Sequence, residues 1–144
     1  MNRKRRTKVL IEGNFSLIKP IIDKIKEEEK IYTIEEPNTG LVMVKMRDSA
    51  KKQLFYLGEV LVTEAKVKIE NSIGLGIVKG NNKGLAYDMA IIDALANNNF
   101  SKHEELKNRM IEMEVALEEK RQMELAILSK TKVDFETVDE EVKA

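Results

Sequence analysis

From Glu64 to Ile69 the chain alternates without exception. Ala65, Val67 and Ile69 fall on one side, and Glu64, Lys66 and Lys68 on the other. A period of two belongs to a β-strand, and one apolar face opposite one charged face belongs to an antiparallel sheet covered on a single side. This run makes a sheet the centre of the chain, and the neighbouring segments are read around it.

Residues 31–79 read as an antiparallel meander. Ile31–Ile34 is a short strand and Glu36-Pro-Asn-Thr-Gly40 a turn punctuated by proline and glycine. Leu41–Arg47 and Leu54–Leu57 are strands joined through Asp48-Ser-Ala50, with a bulge or sharp bend at Gly58. Asn71-Ser72 turns the chain into a last strand, Ile73–Lys79. Residues 1–30 read as helical. A short helix covers Asn2–Glu12 and exits at Gly13. A second covers Ser16–Glu28, with the stripe Leu17, Ile18, Ile21, Ile22 and Ile25 and with Pro20 in its first turn. The acidic end of that helix, Glu27–Glu29, opposes the dipole and is expected to fray. Residues 82–129 read as two more helices. Asn82 caps the first, which is apolar nearly all round from Leu85 to Ala96 and therefore buried on several sides. Ser101-Lys-His-Glu104 reads as a capping box opening a long helix toward Leu128. Residues 130–144 form a tail. The fold class is α+β: a meander flanked by two N-terminal and two C-terminal helices, the last one long, in one domain of 144 residues.

The inventory of reactive side chains is short. With no cysteine, disulfides, thiolate metal sites and cysteine nucleophiles are excluded, and no metal site is expected. The single histidine, His103, lies in the capping box and reads as a surface residue. Twenty-five basic and 25 acidic residues cancel, and aromatics are few, so nucleic acid is not an expected partner. No apolar run approaches the roughly 20 residues that span a bilayer, and the basic N-terminus lacks the apolar stretch of a signal peptide. A cytoplasmic protein without a membrane partner is expected.

Four places remain where chemistry or contact is expected. Gly80-Asn-Asn-Lys-Gly84 joins a strand to a helix N-terminus, and Lys79, Asn81, Asn82 and Lys83 are candidate phosphate contacts there. Its alternative is a glycine turn with an asparagine cap. Asp93, inside Ala90-Ile-Ile-Asp-Ala-Leu-Ala96, is the candidate catalytic carboxylate, or else a buried structural one. Arg5 and Arg6, in the Arg3–Lys8 cluster, are candidate partner contacts or a solvated basic tip. Leu106, Met110, Met113 and Leu117 make a short 4-3-4 seam that reads as a coiled-coil seam, a core helix or a partner-facing helix, with packing on the sheet plus contact with another subunit preferred. Phe135 in the tail is a further candidate contact.

An ordered series of segments resembles the PhnG family of the carbon–phosphorus lyase system. It comprises Thr39-Gly-Leu-Val42, Phe55-Tyr-Leu-Gly-Glu-Val-Leu-Val-Thr63 with the alternating run to Ile69, Ile73-Gly-Leu-Gly-Ile-Val-Lys-Gly80, Ala90-Ile-Ile-Asp-Ala-Leu95 and Lys132-Val-Asp-Phe-Glu-Thr-Val138. The resemblance covers roughly residues 31–98 and the tail. Gly80-Asn81-Asn82 departs from the family's Gly-Arg-Asp, which leaves Lys79 and Lys83 as the local basic residues. The resemblance implies an accessory subunit of the complex that transfers the ribose triphosphate of ATP to a phosphonate such as methylphosphonate, with release of adenine. The implied partners are a PhnI-like nucleosidase subunit and PhnH-, PhnJ- and PhnL-like proteins. ATP is then a substrate of the complex, with no cofactor bound by this chain alone. Whether the subunit contributes to a shared active site or is non-catalytic stays open. The alternative reading is a small interaction protein, either a coiled-coil adaptor or a basic-tip nucleic-acid binder.

Overall fold

A computed structural model describes residues 1–143 of the chain, with side chains described through residue 131. Its elements, in order, are α1 (Arg3–Glu12), a 3-10 turn (Phe15–Leu17), α2 (Lys19–Glu28), β1 (Ile31–Arg47), β2 (Leu54–Ile69), β3 (Ser72–Lys79), α3 (Lys83–Asn97) and α4 (Glu104–Lys143). The fold is α+β, as expected. The chain divides into two compact units, one of residues 1–15 with 108–144 and one of residues 16–107. Among the described residues no helix is long and apolar enough to cross a membrane.

The larger unit is built on the alternating run. β1, β2 and β3 form an antiparallel sheet in sequence order, with β2 in the centre. Ala65, Val67 and Ile69 are buried, and α3 lies over that face against β3 and β2. The approach is close because the facing residues of β3 are Gly74 and Gly76. A Cβ on Gly74 would overlap the Ala90 carbonyl oxygen and the Ala94 amide, and one on Gly76 the Ala86 carbonyl. Small residues on both sides, Ala86, Ala90 and Ala94 against the two glycines, let helix and strand backbones touch.

α3 also seals the outer edge of β3. The Leu75 N–H donates to Asp93 Oδ2 at 3.0 Å, and Asn97 Nδ2 donates to the Ile73 carbonyl at 2.8 Å. Asp93 and Asn97 are one helical turn apart, so together they satisfy edge groups that would otherwise be a template for another strand.

The structure departs from the sequence pattern at several points. No turn forms at residues 36–40. β1 runs straight through Pro37, with register shifts between Thr33 and Glu35 and between Glu35 and Asn38. β1 is an edge strand, and an edge bulge tolerates proline's missing donor. The bulge expected at Gly58 is present: the register slips between Val44 and Lys45, and Gly58 has φ +152°. The tight turn between β2 and β3 falls on Glu70-Asn71, one residue early, with Glu70 at φ +53°. Lys102 Nζ and Asn98 Nδ2, at 3.1 and 3.0 Å, hold the Glu70 carboxylate, and the hydrogen bond from Lys102, followed by its charge, lowers the Glu70 pKa. Leu17 is 54% exposed and leaves the α2 stripe to Ile18, Ile22 and Ile25. The capping box does not form, because Lys102 is left-handed at φ +68° and the helix opens at Glu104. α4 then passes both Leu128 and the expected boundary at residue 129. Its exposed stretch is rich in Glu, Lys, Arg, Met and Leu, all good helix formers, and Gln122 bonds Glu118 at 3.1 Å.

In the smaller unit, α1 is capped by Asn2, whose side chain accepts the Arg5 N–H at 2.9 Å. Val9, Leu10, Met110 and Met113 are its buried apolar residues.

Replacing Gly76 with alanine should destabilise the chain by about 1–3 kcal/mol, since backbone on both sides resists the added methyl. Urea unfolding followed by circular dichroism measures this. An unchanged midpoint would mean that α3 does not rest on β3 at that distance.

Candidate functional site

The loop from Lys79 to Gly84 is organised by one hydroxyl. Thr63 occupies the inward face of β2 with Ala65 and Val67, and it is fully buried. Its Oγ1 donates to the Gly80 carbonyl at 2.6 Å and accepts the Asn82 N–H at 3.0 Å. Gly80, at φ +85°, donates its own N–H to the Leu61 carbonyl at 2.7 Å. Asn82 then caps α3 as expected, its Oδ1 accepting the Leu85 N–H at 3.1 Å. The loop is therefore tied to β2 at Leu61 and Thr63 and to α3 at Asn82.

Among the described residues, no acceptor engages the backbone N–H groups of Asn81, Lys83 and Gly84. Lys79 and Lys83 are exposed beside them and, among the described residues, make no ion pair. Three backbone donors at the positive end of a 15-residue helix, with two ammonium groups at hand, are an arrangement suited to an anion. Lys79, Asn81, Asn82 and Lys83 thus share one loop. Asp93 lies elsewhere on α3, 5% exposed, with its carboxylate on the β3 edge.

The seam residues are corrected. Leu106, Met110 and Met113 are 0, 1 and 5% exposed, so they are core residues and unavailable to a partner. Leu117 is half-buried. Arg6 is buried too, and its Nη1 donates to the Met1 carbonyl at 3.0 Å. Arg5 is exposed but committed, its Nε donating to Glu114 Oε1 at 2.8 Å. Arg5 lines a groove of about 420 Å³ whose four basic side chains (Arg5, Lys8, Lys120, Arg121) meet four acidic ones (Glu12, Glu114, Glu118, Glu124). Balanced charge gives an anion no preference for it. The Phe135 side chain lies outside the described residues.

His103 is the clearest revision among the reactive groups. It is buried, and its Nε2 lies 2.9 Å from Glu29 Oε1. That pairing also holds the end of α2 that was expected to fray, where the Glu29 N–H closes on the Ile25 carbonyl at 2.8 Å. Sequence reasoning overlooked Thr63 and Asp88. A hydroxyl at an inward position of an alternating strand is a visible signal, as is a second carboxylate in an otherwise apolar helix.

Asp88 is 2% exposed and carries two lysines. Lys19 Nζ donates to Oδ2 at 2.7 Å and also reaches Asp23 at 3.0 Å. Lys26 faces Oδ1 as an ion-pair partner without an aligned hydrogen bond, and stands 5.6 Å over the Tyr87 ring. Two cations around one buried carboxylate lock α2 to α3. The hydrogen bond to Asp88 raises the Lys19 pKa well above its ordinary 10.5, against the opposing effect of burial.

The chain matches a family described as "Phosphonate metabolism protein PhnG" over residues 1–139. Over 74 residues it is 35% identical to the alpha-D-ribose 1-methylphosphonate 5-triphosphate synthase subunit PhnG of Rhizobium meliloti (strain 1021). That stretch covers 51% of this chain and 47% of the relative, so the chain spans about half the length of the curated protein it matches.

Two expectations concern this part of the molecule. Thr63→Val keeps the shape and removes both loop bonds, so it should cost about 1–3 kcal/mol. It should also speed amide exchange at Asn82, with exchange at the centre of α3 changing only as global stability does. No change at Asn82, or an acceleration there no greater than at the centre of α3, would remove Thr63 from its organising role. The Lys19 charge stabilises the folded state fully below pH 10.5, the unfolded lysine value, and that contribution is lost as pH climbs through the raised folded value. The wild-type urea midpoint should therefore fall at strongly alkaline pH more steeply than that of Lys19→Met. Parallel curves would contradict the pairing.

Proposed function

The chain belongs to the PhnG family, and from that premise we propose that it is an accessory subunit of a cytoplasmic complex that moves the ribose triphosphate of ATP onto a phosphonate, releasing adenine. The match over residues 1–139 carries this reading. A PhnI-like nucleosidase subunit is its chief partner, with PhnH-, PhnJ- and PhnL-like proteins in the same assembly. The chain's own chemistry supports an accessory rather than a self-sufficient role. It has no cysteine, its one histidine is bonded to Glu29, and its two buried carboxylates on α3 are committed to lysines and to the β3 edge.

In this reading the Lys79–Gly84 loop meets the triphosphate. The N–H groups of Asn81 and Lys83 and the ammonium groups of Lys79 and Lys83 supply donors and charge, while Thr63 holds the loop in shape. Such a site binds and orients; it has no base or nucleophile of its own. Displacement at the ribose then belongs to the partner subunit, with this chain holding one end of the substrate.

The test is co-expression with the PhnI-, PhnH- and PhnJ-like subunits. The wild-type chain should co-purify, and the purified assembly with its PhnL-like protein should consume ATP and methylphosphonate. Lys79→Ala with Lys83→Ala should leave the assembly intact and lower its kcat/KM for ATP by about tenfold or more, the loss of roughly two exposed charge-assisted contacts. Clean separation of the wild-type chain from the other subunits on a sizing column would defeat the proposal. Undiminished turnover by the double variant would remove the loop from the site.

A further inference from the structure

β3 pairs with β2 only as far as Val62, opposite Lys79. Beyond that point β1 and β2 continue alone as a two-stranded arm, through the pairs Leu41–Leu61, Val42–Val60, Met43–Glu59 and Met46–Phe55 to Arg47–Leu54. Residues opposite each other across an antiparallel ladder share a face. One face of the arm therefore carries Leu41, Leu61, Met43, Tyr56 and Leu54, exposed by 63, 43, 57, 50 and 63%, beside the charged Glu59, Lys45 and Arg47. The other carries Val42, Met46 and Phe55, exposed by 47, 52 and 47%. The second face is apolar throughout, and the first, though it also carries charge, still exposes five large apolar side chains, so neither is a purely wet side. An isolated two-stranded ribbon is at best marginally stable in water, and an exposed apolar surface of this extent marks an interaction site.

The tip has its own character. Asp48 closes it, accepting the Ala50 N–H at 2.8 Å and pairing its backbone with Gln53. Around that turn stand Lys45, Arg47, Lys51 and Lys52, four cations against one carboxylate. The root is tied to the Lys79–Gly84 loop, since Leu61 accepts the Gly80 N–H.

We propose that this arm inserts into a two-walled apolar cleft of a partner subunit, with carboxylates of that subunit around the cationic tip. The inference rests on the accessory-subunit reading above and says how the subunit is held. Large apolar side chains exposed on both faces require two walls. A second copy stacked arm on arm covers one face of each and leaves the other face of both in water, so self-association does not complete the burial. The four cations at the tip select a wall ending in acidic side chains. Because the arm springs from the loop, seating it brings the partner's surface beside Lys79 and Lys83.

Hydrogen exchange on the co-expressed assembly tests this directly. Amides of residues 41–47 and 54–61 should exchange about tenfold or more slowly in the assembly than in the free chain. Met43→Asp and Met46→Asp, one on each face, should each lower retention of the chain by the PhnI-, PhnH- and PhnJ-like subunits by about tenfold or more, because each buries a carboxylate against an apolar wall. Both variants should melt like wild type when free, which shows that they are folded. Lys51→Glu with Lys52→Glu should weaken assembly chiefly at low salt. If the wild-type chain assembles while its arm exchanges freely and both aspartate variants are retained, the arm inference falls and the accessory-subunit reading stands. If the wild-type chain does not assemble at all, both fall. Protection of the arm in a dimer of the free chain would overturn the proposal in favour of a second copy.

Discussion

The contact of α3 with β3, made through Gly74 and Gly76 against Ala86, Ala90 and Ala94, is the constraint from which the larger unit follows. Helix and strand backbones meet with no side chain between them. At that separation the polar groups of each come within reach of the other, and Asp93 and Asn97 can close on the Leu75 N–H and the Ile73 carbonyl. The same proximity gives the strand-to-helix connection its form, because Lys79–Gly84 has only a short gap to cross. Thr63 fills the polar need of that gap from beneath, donating to one side of the loop and accepting from the other. A larger residue on β3 would lift the helix and cost the edge bonds, the loop bonds and the buried face together.

Burial of ionisable groups in this unit serves joining rather than reactivity. Asp88 holds Lys19 and Lys26 and so fastens α2 to α3, and Glu29 holds His103 just before α4 begins. A buried charge without a partner is very costly, and each of these has one. Groups that alone would suggest an acid, a base or a nucleophile are thereby engaged. The groups left for a ligand are backbone N–H donors and exposed ammonium groups, which suit binding a phosphate and do not break bonds. That division of labour agrees with a curated relative that is named as a subunit.

The arm and the loop share a root at Leu61, where β3 stops. Up to that line every apolar residue on the covered face of β2 has α3 above it; beyond it, residues of the same parity stand in solvent. The boundary follows from unequal strand lengths. β1 and β2 have 17 and 16 residues and β3 has eight, so half of the hairpin has neither a third strand nor a helix. Docking through the arm and binding at the loop would therefore act at neighbouring points.

Much of this was legible in the residues. The alternation from Glu64 to Ile69, the bulge at Gly58, the Asn82 cap and the burial of the Leu85–Ala96 helix are local patterns, set by steric preference and hydrophobic period over a few positions, and all of them appear in the structure. Pro37, the capping box and His103 were misread because the deciding facts are distant. An edge position excuses the proline, a left-handed Lys102 delays the helix, and Glu29, far away in sequence, draws the histidine inside. The 4-3-4 seam was read correctly as apolar, but its periodicity is the same for a core and for an interface. By itself the sequence determined the fold class, the order of elements and the poverty of reactive groups, since those depend on composition and short-range spacing. Only the tertiary structure decided which polar groups are engaged, how Thr63 shapes the loop and that the hairpin outruns its sheet, because each depends on which surfaces meet after folding.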